Sequence, residues 1–279
     1  MKLGYNTNGL PHHSWSDALE LIAETGYRSV AITVDHHCLN PFAVDFQSEL
    51  QQMKKSLDRL NLSCVIETGA RFLLNPRRKH EPTLLSVTAE ERKKRVEFLN
   101  RCIEIAAFLN ADAVSFWSGI LRDSISRSEA MSRLAEECSK VVRRAVSEGV
   151  QLAFEPEPGM FIESFDDFAE LMSLMDSPDF GLTVDIGHVH CVEEGSIAAY
   201  LHEWRNRIFN IHIEDMVRGV HEHLRFGAGT IDFPPVLAAL KEIDYKGGLH
   251  VELSRHGHMA PDVLQESYRF LNHLLDDTV

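Results

Sequence analysis

Short apolar runs rich in β-branched and aromatic residues alternate along the chain with segments whose apolar positions recur every three to four residues. The runs are Lys2–Thr7, Ser29–Val34, Ser63–Thr68, Ala113–Ser118, Gln151–Glu155, Gly181–Ile186, Phe209–Ile213 and Gly248–Leu253. Their apolarity is continuous rather than alternating, which suits parallel strands covered on both faces. Between them, Trp15–Thr25, Phe46–Leu60, Ala89–Leu109, Ser128–Glu148, Phe165–Met175, Ile197–Arg205, Pro234–Ile243 and Pro261–Leu275 carry the helical period. Ser14, Ser128 and Ser164 mark helix starts; Asp17 and Asp167 stand three residues after the first and last, and Met131 is the exception. Gly26, Gly149 and Gly247 mark stops.

Strand–helix alternation through all 279 residues, with no linker, predicts the α/β class and a single (β/α)₈ TIM barrel spanning 1–279 as one domain. An open doubly wound sheet is the alternative, but no GxGxxG follows the first run, where a dinucleotide site needs it. Two connections are long: Gly69–Thr88 after the third run and Glu214–Ile231 after the seventh. Loops of that length act as lids or binding loops, and both fall on the face where barrel chemistry occurs.

Composition narrows the function. Hydrophobic residues at 44% and charged residues at 25% exclude a disordered chain. With 28 Lys and Arg against 42 Asp and Glu, the net charge of -14 disfavours nucleic acid and anionic membrane as partners. Cys38, Cys64, Cys102, Cys138 and Cys191 are scattered, without CxxC, as expected of free thiols in a reducing cytosol. No apolar run approaches the roughly 18 residues that span a bilayer. The opening MKLGYNTNGL has neither a basic nor an apolar leader segment, so a cytoplasmic location is expected.

Ionisable residues interrupt the later runs near one end. Glu155 closes the fifth, with Glu157 two further on; Asp185 lies in the sixth, with His188 three on; His212 lies in the seventh and Glu252 in the eighth. Charges inside apolar strands are costly to bury. In a barrel these positions converge, and three carboxylates with one imidazole suit one divalent ion, Mn²⁺, Zn²⁺, Co²⁺ or Mg²⁺.

The motifs FEPEP, VDIGHVH, NIHIEDMVR followed by HLRFGAGTIDF, and LHVEL resemble the second half of the xylose-isomerase-like TIM barrels. That superfamily contains ketose 3-epimerases, sugar and inosose isomerases or dehydratases, and endonuclease IV-type repair enzymes. The resemblance implies metal ligation by Glu155, Asp185, His212 and Glu252, with substrate contacts from His188 and Arg218. It further implies that Glu155 and Glu252 act on opposite faces of the substrate carbon, one removing a proton and the other returning it through an enediolate. The expected substrate is a small polyhydroxy carbonyl compound. Elimination of a β-hydroxyl from the same intermediate would make the protein a lyase.

Abasic-DNA phosphodiesterase chemistry is the second class and a non-catalytic binding barrel the third. His221-Glu222-His223 before Gly227-Ala228-Gly229 resembles the endonuclease IV spacing, but His221 replaces an aspartate, and Glu67 and Trp117 replace histidines. A single metal is therefore expected, with Glu67, His221 and His223 the candidates for a second. His36, His37, Glu157, Trp117 and His223 are candidate pocket walls, and Gly227 and Gly229 are positions where backbone approaches a ligand. Arg71 and the run Arg77-Arg78-Lys79-His80 are expected to close over an anionic group, phosphate or carboxylate. Relatives of this barrel often pair, so a homodimer is expected.

Overall fold

A computed structural model describes residues 1–175 and 177–276, so residues 277–279 of the expected domain lie outside the described residues. In chain order the strands are β1 (Lys2–Asn6), β2 (Ser29–Thr33), β3 (Ser63–Glu67), β4 (Val114–Phe116), β5 (Leu152–Phe154), β6 (Phe180–Asp185), β7 (Ile208–Ile213), β8 (Asp215–Val217), β9 (Val220–Leu224) and β10 (Gly248–Val251). The helices are α1 (Trp15–Thr25), α2 (Phe46–Leu60), α3 (Ala89–Leu109), α4 (Arg127–Glu148), α5 (Phe165–Ser173), α6 (Ile186–Val192), α7 (Ile197–Trp204), α8 (Phe233–Glu242) and α9 (Ala260–Asp276).

Eight strands close a parallel barrel in the order β1-β10-β7-β6-β5-β4-β3-β2, a (β/α)₈ TIM barrel. Closure rests on the parallel pairing of β1 with both β10 and β2, through Tyr5↔Val251 and Tyr5↔Val30. The apolar core lies mainly between the barrel and its helices, where Phe116, Phe154, Phe168 and Phe180 pack edge-on and stacked.

Inside the barrel the filling is polar. His250 meets Ser29 Oγ through Nε2 and Asn210 Oδ1 through Nδ1, each at 2.9 Å. Asn210 Nδ2 donates to Glu67 Oε1 at 3.1 Å, and Thr183 Oγ1 donates to Ser115 Oγ at 2.8 Å. Each of these buried groups therefore has a partner, which is the condition for tolerating them in a core.

Three local expectations change. The cap of α4 is Ser126, not Ser128: its hydroxyl accepts from Glu129 N while the Glu129 side chain accepts from Ser126 N, a complete capping box. Gly247 does not stop α8, which ends at Glu242 and turns through Asp244 at φ 56°. The connection expected over Glu214–Ile231 folds in part into the antiparallel hairpin β8–β9. The Gly69–Thr88 connection contains no helix or strand.

Candidate active site

The sixth and seventh strands fix the centre of the site. Asp185 is the last residue of β6 and pairs in register with His212 of β7, which in turn pairs with His250 of β10. Glu155 follows β5 directly and Glu252 follows β10 directly. One donor atom from each of Glu155, Asp185, His212 and Glu252 lies within 4.8 Å of the other three. Ligands about 2.1 Å from a shared cation are at most about 4.2 Å apart, so this spacing needs only a small contraction to grip one.

His212 has a defined orientation. Its Nδ1 faces the cluster, 2.9 Å from Glu252 Oε2, 3.1 Å from Glu155 Oε1 and 3.9 Å from Asp185 Oδ2. Its Nε2 lies 2.9 Å from Glu67 Oε1. A proton on Nε2 donated to Glu67 leaves the Nδ1 lone pair free for a metal, the arrangement by which an outer carboxylate sets the tautomer of a ligating histidine. Glu67 is thus a partner of a ligand candidate. Asn8 Nδ2 donates to Glu252 Oε1 at 2.7 Å, which leaves Oε2 turned to the cluster.

Asp185 divides its two oxygens between structure and site. Oδ1 accepts from His188 N at 2.8 Å and caps α6, while buried Oδ2 has no hydrogen-bond partner. Burial, with repulsion from Glu252 and Asp185, outweighs His212 and raises the Glu155 carboxyl to about 7. Burial and the neighbouring Glu155 and Glu252 raise Glu157 to about 8. Burial pulls the His212 imidazole down, but Glu67, Glu252 and Glu155 together hold it well above its ordinary value. A buried Glu155 carboxyl held above its ordinary range, beside an aspartate oxygen with no hydrogen-bond partner, fits a divalent cation, whose charge offsets both penalties.

A second group adjoins the first. His188, His221 and His223 offer nitrogens within 4.8 Å of one another, and so do the donor atoms of Asp185, Glu214 and His223. Glu214 is fully buried and neither carboxylate oxygen has a hydrogen-bond partner. Burial and Asp185 push its carboxyl well up, and His223 Nδ1 lies 3.7 Å away. Burial lowers His223, but Glu214 outweighs it and the imidazole rises to about 10. Their donor atoms lie close enough together that either set could hold a cation. A Cβ on Gly187 of the VDIGH motif would come within 2.1 Å of Glu214 Oε1 and 2.7 Å of Met216 Cε, so the ends of both side chains would have to shift to admit one.

Glu155, His212 and Glu252 line a cavity of about 220 Å³ together with Asn8, Glu67, Arg71, Lys79, His80, Trp117, Glu157, His188, His221, His223 and Arg255, while Asp185 lines an adjoining cleft that shares His188. His188 is buried, neither ring nitrogen has a hydrogen-bond partner, Nδ1 lies 3.7 Å from Glu155 Oε1 and Nε2 3.6 Å from Asp185 Oδ2, and burial lowers its pKa to about 4. Trp117 is held by the Arg95 guanidinium 5.0 Å over its ring and by His80 edge-on at 5.4 Å.

Other expected site residues lie elsewhere. Arg218, in the β8–β9 turn, donates to Glu193 O at 2.6 Å and is exposed, away from the cavity lining. His36 and His37 follow the end of β2 in a turn closed by Asp35 and Cys38; His37 lines a side cleft with Trp15 and Arg71. Gly227 and Gly229 serve the loop itself. Gly227 N donates to Asp215 Oδ2 at 2.9 Å, and a Cβ on Gly229 would meet Asp215 Oδ1 at 2.3 Å. Glu214, Asn8 and Asn210 carry no sequence signal of their own. The nearest clue to Glu214 is its place two residues beyond His212, on the same strand face.

Residues 19–274 match the family described as Xylose isomerase-like TIM barrel, and the chain belongs to that family. Among its relatives, the uncharacterized protein MJ1311 of Methanocaldococcus jannaschii is 28% identical over 283 residues, covering 98% of this chain and 91% of that one. The L-ribulose-5-phosphate 3-epimerase UlaE of Salmonella paratyphi C is 24% identical, covering 90% of this chain and 86% of its own. An inosose dehydratase of Clostridium beijerinckii is 28% identical over 44% of this chain and 47% of its own. In structure, a D-tagatose 3-epimerase-like protein superposes with a TM-score of 0.82 at 24% identity, covering 100% and 98% of the two chains. The IOLI protein with a bound zinc atom gives 0.78 at 19% identity, covering 100% and 99%.

Proposed function

We propose that the protein is a divalent-metal-dependent isomerase or epimerase of a small polyhydroxy carbonyl compound. The observation that carries this reading is the convergence of Glu155, Asp185, His212 and Glu252 within 4.8 Å of one another, three of them lining one cavity. The relative named as an L-ribulose-5-phosphate 3-epimerase supports it. A Mn²⁺, Zn²⁺, Co²⁺ or Mg²⁺ ion held by those four side chains would act as a Lewis acid on the substrate carbonyl.

The chain's own residues do the remaining work. Glu155 and Glu252 are the pair that removes and returns the carbon-bound proton, by way of an enediolate. Asn8 holds Glu252 in place through Oε1. Glu67 fixes the His212 ring. His188, Glu157, His223 and Arg71 supply contacts to substrate oxygens, and the Trp117 ring supplies an apolar platform for a sugar face. A lyase that expels a β-hydroxyl begins with the same proton removal, and the inosose dehydratase relative favours keeping it as the second reading.

Proton NMR in D₂O with a panel of ketoses and inososes tests both. Exchange at the carbon next to the carbonyl without loss of water supports the epimerase; enone absorbance supports the lyase. Glu155→Gln is expected to cut exchange by about a thousandfold or more with the far-ultraviolet circular dichroism unchanged. Exchange undiminished in that variant contradicts the assignment.

A further inference from the structure

The cavity is acidic at its floor and basic at its mouth. Glu67, Glu155, Glu157 and Glu252 lie below, while Lys79 and Arg255 line the same space from the loops after β3 and β10. In a chain of net charge -14, three cations lining one cavity, Arg71, Lys79 and Arg255, stand against the general balance.

The basic run Arg77-Arg78-Lys79-His80 splits in two. Arg77 and Arg78 are exposed and outside the cavity lining, and Arg78 sits 3.5 Å from Glu91. Lys79 lines the cavity, and no described carboxylate lies within ion-pair distance of it. Its position is set by its neighbour: His80 N donates to Arg71 O at 2.6 Å, and His80 Nδ1 lies 2.6 Å from Gly69 O. The loop holds Ala70 at φ 52° and His80 at φ 65°, left-handed conformations costly to non-glycine residues and kept only where the surroundings enforce them.

Arg255 pairs with Glu222 at 2.9 Å, but both side chains are largely exposed, so the pair contributes little and can yield to a better acceptor. Arg71 lines the cavity too, but part of its guanidinium is already engaged, 3.5 Å from Asp35 and donating to Asn8 O at 3.2 Å, which leaves it for substrate oxygens rather than for the anion. A neutral polyol would leave the exposed Lys79 ammonium to water alone. A phosphate or carboxylate would satisfy both cations through charge-assisted hydrogen bonds.

We propose that Lys79 and Arg255 form an anion subsite at the cavity mouth, so that the substrate is a ketose carrying a phosphate or carboxylate at the end remote from the reacting carbons. This rests on the isomerase reading for the word ketose, but the subsite itself is testable without turnover.

Calorimetric titration of the Mn²⁺-loaded protein with ribitol 5-phosphate, ribonate and ribitol, none of which has a carbonyl to react, gives the answer. Ribitol 5-phosphate or ribonate is expected to bind at least about tenfold more tightly than ribitol, and the tighter of the two identifies the anion. In the double variant Lys79→Met/Arg255→Met that preference should shrink to about twofold, with ribitol binding as the control for an intact cavity. Equal binding of all three, or a preference that survives the double variant, overturns the subsite; the second result puts the anion on the metal. Anion preference without exchange of any ketose proton in D₂O keeps the subsite and removes the isomerase reading. Exchange of neutral ketoses without anion preference does the reverse.

Discussion

Asn8 and Glu252 are 244 residues apart, yet one hydrogen bond between them decides which carboxylate oxygen faces His212. Contacts of this kind explain what single residues reveal in the sequence and what they conceal. Glu155, Asp185, His212 and Glu252 were legible because each is a charge, or a potential one, inside or closing an apolar strand, and register then sets their heights. Glu67 was legible as a strand end but not as the acceptor for His212 Nε2, since that bond crosses the barrel between residues 145 apart. Arg218 and His37 lie outside the cavity lining, because spacing from a motif does not determine how a turn aims its side chains.

His80 gives a prediction free of the metal cluster. Burial, aided by Lys79, Arg95 and Arg71 and opposed by the Gly69 carbonyl, lowers its pKa from 6.5 to about 4. Between those values the unfolded chain binds a proton that the folded chain does not. The stability associated with neutral His80 is therefore complete above about pH 6.5 and lost as the pH falls toward 4. Urea unfolding of wild type and His80→Gln across that window is expected to show a shallower pH slope in the variant. Identical slopes would mean that His80 titrates alike in both states.

At the scale of elements, long periodic helices and buried strands were readable to within a few residues, because burial imposes the pattern on the sequence. Short elements were not. α6 follows β6 without a loop and owes its start to the Asp185 side chain, a residue that reads equally well as a ligand. The β8–β9 hairpin has strands of three and five residues, too brief for alternation to stand out. The α4 boundary turns on two serines two residues apart. Only Ser126 has Glu129 three positions later, and the structure builds the box on it. Ser126→Ala is expected to cost about 1 kcal/mol in denaturant unfolding. Ser128→Ala, within the first turn, should cost no more than a few tenths; equal losses would contradict the assigned cap.

For the whole molecule, the closed parallel barrel explains why chemistry collects in one place: every strand delivers its C-terminal end to the same rim. The strand–helix alternation was enough to derive this architecture. The polar interior was not derivable, since Ser29, Ser115, Thr183, Asn210 and His250 read individually as ordinary strand residues. Only closure brings them into one hydrogen-bonded layer beneath the site. Among the described residues, no helix is long and apolar enough to cross a membrane.

The proposed chemistry depends on one divalent ion gripped by Glu155, Asp185, His212 and Glu252. Anomalous diffraction from crystals of the Mn²⁺-loaded protein locates that ion. The expected result is a peak bonded at about 2.0–2.4 Å to His212 Nδ1 and to one oxygen each of Glu155, Asp185 and Glu252. A data set in which the four side chains surround no anomalous peak, while Mn²⁺ is found at other groups or nowhere, would contradict it.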